Sequence, residues 1–298
     1  MAYNFFLVEK TGPVATIWLN RPEKRNFMSW DFWRELPLVV EEINADESVK
    51  AFIIAAKGAS FSIGIDLPDF VERFAWLGGS GGRDTGAAAS AAEPGAGQAD
   101  TMNGVVGGAE ANEKLHHFIL TLQKGMRALG DSPKPSIAAI HRHCIGGALD
   151  LISACDIRYA AADAIFSLRE VKVAIVADMG SLQRLPYIIG EGQTRELALT
   201  GRDFGADEAL RMGLVTQVYA DKEALYAAAL KTAEEMCQNS AIVTRGVKYV
   251  MNKQRGMDID RALDFVALYN SGYLQSQEFI AMVKGFAGRK SAKKKSSP

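Results

Sequence analysis

The chain has 298 residues, 48% hydrophobic and 23% charged, with a formal net charge of −1. That length buries a sizeable core as one large domain or two smaller ones, and the even charge balance argues against a nucleic-acid partner. Cys144, Cys155 and Cys237 show neither disulfide-framework nor metal-type spacing. No apolar stretch reaches the ~20 residues of a membrane span, and MAYNFFLVEK lacks the pattern of a signal peptide. A soluble cytoplasmic protein without membrane contact is expected.

Strands are predicted over Phe5–Glu9 and Val14–Leu19, around a Thr11-Gly12-Pro13 turn. The polar linker Asn20–Asn26 leads to Ser29, a cap for a helix carrying Trp30, Phe32, Trp33, Leu36, Val39 and Val40 at helical spacing. Pro37 should distort that helix without ending it, and Asp46 closes it. Ala51–Ala56 reads as a buried strand, and Ser60–Leu67 as a short strand, a turn at Gly64 and a helix start. From Gly78 to Asn112 the chain is rich in Gly and Ala without a hydrophobic period, which predicts an insertion of low order. A helix over Glu113–Ser132 and a strand over Ser136–Ile140 follow.

Further on, helices are predicted over Gly180–Ile189, Thr194–Leu199 and Ala206–Met212, then a strand over Leu214–Tyr219. The end reads as helices Lys222–Gln238, Ser240–Met251 and Asp258–Phe286, with a solvated, disordered basic tail over 288–298. Strands alternate with helices early and helices gather late, so the class is α/β.

Between them lies His141–Leu185, with three carboxylates, Asp150, Glu170 and Asp178, among apolar or small neighbours. Ile145–Cys155 is apolar nearly all round and marks a buried helix. An ionised Asp150 there is costly unless paired or used, and a neighbouring helix, Arg142 or Arg158 could supply a purely structural partner. Gly146 and Gly147 share its helical face. A glycine pair at a helix start leaves main-chain N–H groups free and lets a ligand come close, and the helix dipole adds positive character. By residue type alone, Asp178 before a helix is a cap, and Glu170 between Arg169 and Lys172 is a surface ion-pair partner. His116, His117, His141 and His143 lack metal partners at useful spacing.

The ordered motifs NRPEKRN, SFSIGIDL, AAIHRHCIGGALDLISACDIRYA, GSLQRLPYIIG and ALTGRDFGADEALRMGLVTQV resemble the crotonase, or enoyl-CoA hydratase/isomerase, superfamily. The resemblance implies a spiral of repeated ββα units over 1–220, interrupted at 78–112. It also implies a C-terminal helical region, 221–287, that supports a homotrimer or a dimer of trimers. Carried over by motif, the main-chain N–H groups of Ile63 and Gly147 form an oxyanion hole for an acyl-CoA thioester. Lys24, Arg25, Ser62, Gly64, Ile65, Asp66, Leu67 and Gly146 are the implied substrate and coenzyme A contacts, with Phe286 and Lys290 as a fainter match to residues that reach a neighbour's nucleotide. Ala148 replaces the third glycine of the family's usual run, and His143 stands where a glycine is usual.

Asp150, Glu170 and Asp178 together look like the dienoyl-CoA isomerase subgroup, in which a 3,5-diene becomes a 2,4-diene. That chemistry implies Glu170 as base, Asp178 as acid and Asp150 as tuning group, with no metal, flavin or nicotinamide beyond the coenzyme A of the substrate. Hydration of a 2-enoyl-CoA stays open, because two of the acids would serve it. A crotonase-fold binding scaffold without catalysis is the reading from another class.

Overall fold

A computed structural model describes residues 3–73, 109–274, 276–277 and 279–284. Most of the Gly/Ala-rich stretch, Phe286, Lys290 and the basic tail lie outside the described residues.

Strands β1 (Phe6–Thr11) and β2 (Val14–Leu19) form an antiparallel hairpin. Helix α1 (Trp30–Ala45) runs unbroken through Pro37. Ser29 is its N-cap but makes no side-chain cap bond; Asp69 instead accepts the Trp30 N–H at 2.7 Å, from helix α2 (Leu67–Arg73). Between them lies β3 (Ala51–Ala56).

Helix α3 (Ala109–Asp131) precedes β4 (Ser136–Ile140), β5 (His143–Ile145) and α4 (Gly147–Ser153). Next come β6 (Ile157–Ala161), β7 (Ile165–Ser167) and a 3-10 turn over Glu170–Val173. Helices α5 (Ser181–Ile189) and α6 (Glu191–Thr200), strand β8 (Phe204–Gly205), α7 (Ala206–Met212) and β9 (Gln217–Tyr219) follow. The last described helices are α8 (Lys222–Cys237), α9 (Ala241–Lys253) and α10 (Ile259–Tyr273).

The six-stranded sheet has the order β1-β2-β3-β4-β6-β9, parallel from β2 onward. A second sheet, β5-β7-β8, stands apart from it. Each turn of chain sends a long strand to the first sheet, a short one to the second and then a helix: β4-β5-α4, then β6-β7-α5. The preceding turn does the same in rudimentary form, since Ser62 bridges Cys144 of β5 in parallel. This is the expected ββα spiral.

β3 and β4 are buried on both faces, as central parallel strands are. Alternate residues serve different layers. Phe52, Ile54, Ala138 and Ile140 join the main core with Phe32, Leu36 and Val39 of α1. Ile53, Ala55, Ile137 and Ala139 face Leu225, Ala229 and Ala233 of α8. In packing terms α8 therefore belongs to the core, and the helices that stand off it begin with α9.

Several boundaries differ from expectation: α3 starts at Ala109 and not Glu113, α6 at Glu191 and not Thr194, and β5 takes Ile145 from the expected buried helix. β9 starts at Gln217, because Leu214 and Val215 are buried in a turn whose Leu214 carbonyl accepts the Arg158 guanidinium at 2.7 Å. α10 stops at Tyr273 and does not run through to Phe286; a break at Leu274 precedes a further helical stretch over 279–284.

Candidate active site

Gly64 has φ +91°, and a Cβ there would lie 2.8 Å from the Ile145 carbonyl oxygen. Only glycine lets these two turns of the spiral meet so closely. The contact is stitched by Ser62 N–H to His143 O at 2.9 Å and Ile145 N–H to Ser62 O at 3.1 Å. Gly146, at φ +57°, donates to Ser167 O at 2.8 Å and opens α4. Among the described residues, the N–H groups of Ile63 and Gly147 donate to no protein acceptor. Both thus remain available at the joint where the turns touch.

Beside that joint is a cavity of about 180 Å³. Trp33, Phe70, Leu115, Ile119 and Leu122 form an apolar wall, with Ile65, Ile175 and Met179 completing it. Gly147, Asp150, Glu170 and Asp178 line the rest. A larger hollow, about 810 Å³, lies between α9, α10 and the Asp131–Pro133 turn. It holds none of these acids or free amides, so the smaller cavity is the site.

Asp150 is 2% exposed, and its Oδ1 accepts the Ser181 N–H at 2.6 Å. Burial pushes its carboxyl up to about 6, against the opposing pull of that bond. Glu170 is pushed up to about 7, first by burial and then by the charge of Asp150. Both its oxygens are buried without a hydrogen-bond partner, and Oε1 lies 3.3 Å from where a Gly146 Cβ would stand. Asp178, half-buried, is also raised by burial.

Four buried side-chain atoms lack partners among the described residues: the two Glu170 oxygens, Trp33 Nε1 and Ser181 Oγ. Trp33 and Glu170 line this cavity, and Ser181 adjoins Asp150. A buried polar atom without a partner costs about 1–3 kcal/mol. Such clustering at one cavity is the mark of a site arranged for a ligand rather than for stability.

The sequence profile of the enoyl-CoA hydratase/isomerase family matches residues 9–76 and 99–294. The chain belongs to the enoyl-CoA hydratase/isomerase family. It is 37% identical over 292 residues to the mitochondrial Delta(3,5)-Delta(2,4)-dienoyl-CoA isomerase of Rattus norvegicus, covering 94% of this chain and 78% of the relative. The peroxisomal enzyme of that name from Arabidopsis thaliana is 36% identical, over 87% of this chain and 84% of its own. An enoyl-CoA hydratase structure from Bacillus anthracis superposes with a TM-score of 0.77 at 26% identity, covering 96% of this chain and 97% of that one.

Within this crotonase framework the structure sorts the residues singled out by sequence. Ile65, Gly147, Asp150, Glu170 and Asp178 share one cavity, with Ile63, Gly64 and Gly146 at its edge. Ser62 and Asp66 are taken up in the fold: the Ser62 hydroxyl donates to Asn26 O at 2.7 Å, and Asp66 pairs with Arg21 at 2.7 Å. Leu67 opens α2, and Lys24 and Arg25 sit exposed on the turn after β2.

The structural alternatives for Glu170 and Asp178 do not hold. Arg169 pairs with Asp203, not with Glu170. The cap of α5 is Gly180, and the Ser181 N–H is served by Asp150 from α4, not by Asp178. For Asp150 the structural alternative holds in one arm: a neighbouring helix, α5, serves it through the Ser181 N–H. Among the described residues Arg142, at a left-handed φ of 54°, does not pair with it, and Arg158 binds the carbonyls of Leu214 and Cys155. Sequence reasoning missed the roles of Trp33, Gln123, Ser181 and Arg184. Trp33 looked like any other periodic core residue, and the other three matter through contacts with distant segments.

Proposed function

We propose that the chain moves the double bonds of a 3,5-dienoyl-CoA to the 2,4 positions. The observation that carries this reading is three carboxyl groups with raised pKa values on one apolar cavity, beside main-chain amides left without acceptors. A thioester oxygen held by the Ile63 and Gly147 N–H groups acidifies C2. Glu170 takes the C2 proton, and the electron pair of that C–H bond becomes the C1–C2 double bond of a dienolate. Collapse of the dienolate forms C2=C3, shifts C3=C4 to C4=C5, and places the electrons of C5=C6 on a proton delivered to C6 by Asp178. One carboxyl gains a proton and another loses one, so passage of a proton between them resets the site.

Burial supports the assignment, because a base working near neutral pH needs a carboxyl raised toward that range. Asp150, fixed by Ser181 N–H, raises Glu170 through its charge. Hydration of a 2-enoyl-CoA needs two acids to place a water and leaves the third without a task. A binding scaffold gains nothing from a buried Glu170 carboxylate without a hydrogen-bond partner.

The reading also places coenzyme A along the turn with Lys24 and Arg25. It also takes the ββα spiral to run to about residue 220, with α8 packed on its sheet, and gives the helical region from 221 to 287 a role in supporting a homotrimer or a dimer of trimers. Exposed Val247, Met251, Ile259, Leu263 and Leu268 on α9 and α10 are consistent with such a contact. Cys144, Cys155 and Cys237 are free and buried, which agrees with a reducing compartment such as the cytoplasm. No described helix is long and apolar enough to cross a membrane. The test is the absorbance of the conjugated dienoyl thioester on adding enzyme to a 3,5-dienoyl-CoA. Failure to form it, with water added to crotonyl-CoA instead, would replace this reading with the hydratase.

A further inference from the structure

Asp178 lies in the irregular segment between the Glu170–Val173 turn and α5, where Val176 is 75% exposed. A segment of this kind does not hold a side chain to the fraction of an ångström that proton transfer requires. Something outside it must, and the contacts come from α3. Gln123 Nε2 donates to the Asp178 carbonyl at 2.8 Å, the one side-chain bond to the Asp178 main chain among the described residues. Arg184 Nη1 reaches the carbonyl of Met179 at 3.3 Å, and its Nη2 that of Met126 on α3 at 3.4 Å. Gly180 makes room for this crossing, since a Cβ there would lie 1.9 Å from Arg184 Nη1.

The same helix walls the cavity with Leu115, Ile119 and Leu122. Gln123 is the next residue after Leu122, so any shift of the wall is passed to the Asp178 carbonyl through one hydrogen bond.

We propose that Gln123 is a positioning residue: it sets where the Asp178 carboxyl stands in the cavity and couples that placement to the helix packed along the acyl group. This rests on the reading of Asp178 as the acid. Among the described residues, the titratable groups that face Asp178 are Asp150 on α4 and Glu170 on the 3-10 turn, both of which feel its charge. Arg184 on α5 acts on Asp150. Among the described residues, α2 and α3 turn apolar Phe70, Leu115, Ile119 and Leu122 to the cavity.

Gln123→Met keeps length and apolar packing and removes the donor. With the full chain and a 3,5-dienoyl-CoA, kcat is expected to fall about 10- to 100-fold, with KM within about two-fold of the parent. One limb of the pH profile of kcat should also move to lower pH. The freed segment lets water reach Asp178, its carboxyl relaxes toward the ordinary range, and the acid form is lost earlier as pH rises. A purely structural role would scale kcat equally at all pH values through a smaller folded fraction. An unchanged kcat, or a fall in kcat with the limb unmoved, overturns the proposal. Asp178→Asn, assayed alongside, separates the two levels: full activity in that variant sinks the reading of the acid itself, whereas its inactivity beside an unaffected Gln123→Met sinks only the positioning role.

Discussion

Asp150 Oδ1 accepts the main-chain N–H of Ser181 at 2.6 Å, tying the acid of α4 to the first turn of α5. The bond does two things at once. It satisfies an orphan donor at a helix start, and it holds a buried charge close enough to Glu170 to raise its carboxyl.

Asp150→Asn retains an acceptor for Ser181 but removes the charge. Glu170 then loses one of the influences that raise it, and its carboxyl falls below about 7. With Glu170 in the proposed role of base, one limb of the kcat/KM profile should move to lower pH. Asp150→Ala also loses the cap and should be about 1 kcal/mol less stable than Asp150→Asn. A pH–rate series and denaturant melts of both variants check this.

Stability should fall as pH rises. A carboxyl whose folded pKa is raised binds its proton more tightly in the native state. The penalty of ionising it is therefore absent below the unfolded value and complete above the folded one. For Glu170 the window runs from 4.5 to about 7. Glu170→Gln should be more stable than the parent by as much as about 3 kcal/mol at pH 8, and nearly equal to it at pH 4. Activity should be lost in the same variant. Equal melting temperatures at pH 8 would show that Glu170 is not strained by burial.

Gly64→Ala places a Cβ 2.8 Å from the Ile145 carbonyl at a φ of +91°. It should cost about 1–3 kcal/mol of stability. By parting the turns that carry Ile63 and Gly147, it should also lower kcat about 100-fold, the loss expected of one oxyanion donor. The pH limbs belong to the acids and should stay where they are.

Ile119→Phe narrows the apolar wall of a cavity of about 180 Å³. Longer acyl chains should lose kcat/KM about 10-fold or more against the shortest substrate, since one or two methylenes in a pocket discriminate on that scale. A chain-length series on parent and variant measures it.

Much of the scaffold was legible from local pattern. AFIIAA and SIAAI declare strands covered on both faces, and Trp30 to Ile43 declares an amphipathic helix despite Pro37, because these signals repeat over one or two turns of chain. Asp150 stood out as a charge in a wholly apolar helix. Glu170 and Asp178 did not. Their neighbours in sequence, Arg169, Lys172 and Gly180, suggested an ion pair and a cap, and both suggestions depended on which way a side chain turns. The side-chain partners of Ser62 and Asp66 were hidden for the same reason: Asn26 and Arg21 lie some 40 residues earlier in the chain.

By itself, then, the sequence determined the early strands and helices and the late helices, the glycines that permit close approach and the presence of three acids in one run, but not the strands β5 to β8. Periodicity and residue type act over a few residues, so they survive without knowledge of the fold. The tertiary structure alone decided that the three acids share a cavity with Trp33 and α3. It also decided that Asp150 caps a helix not its own, and that Gln123 holds the Asp178 main chain. Desolvation and hydrogen bonding between segments depend on distances across the chain, which no local pattern encodes.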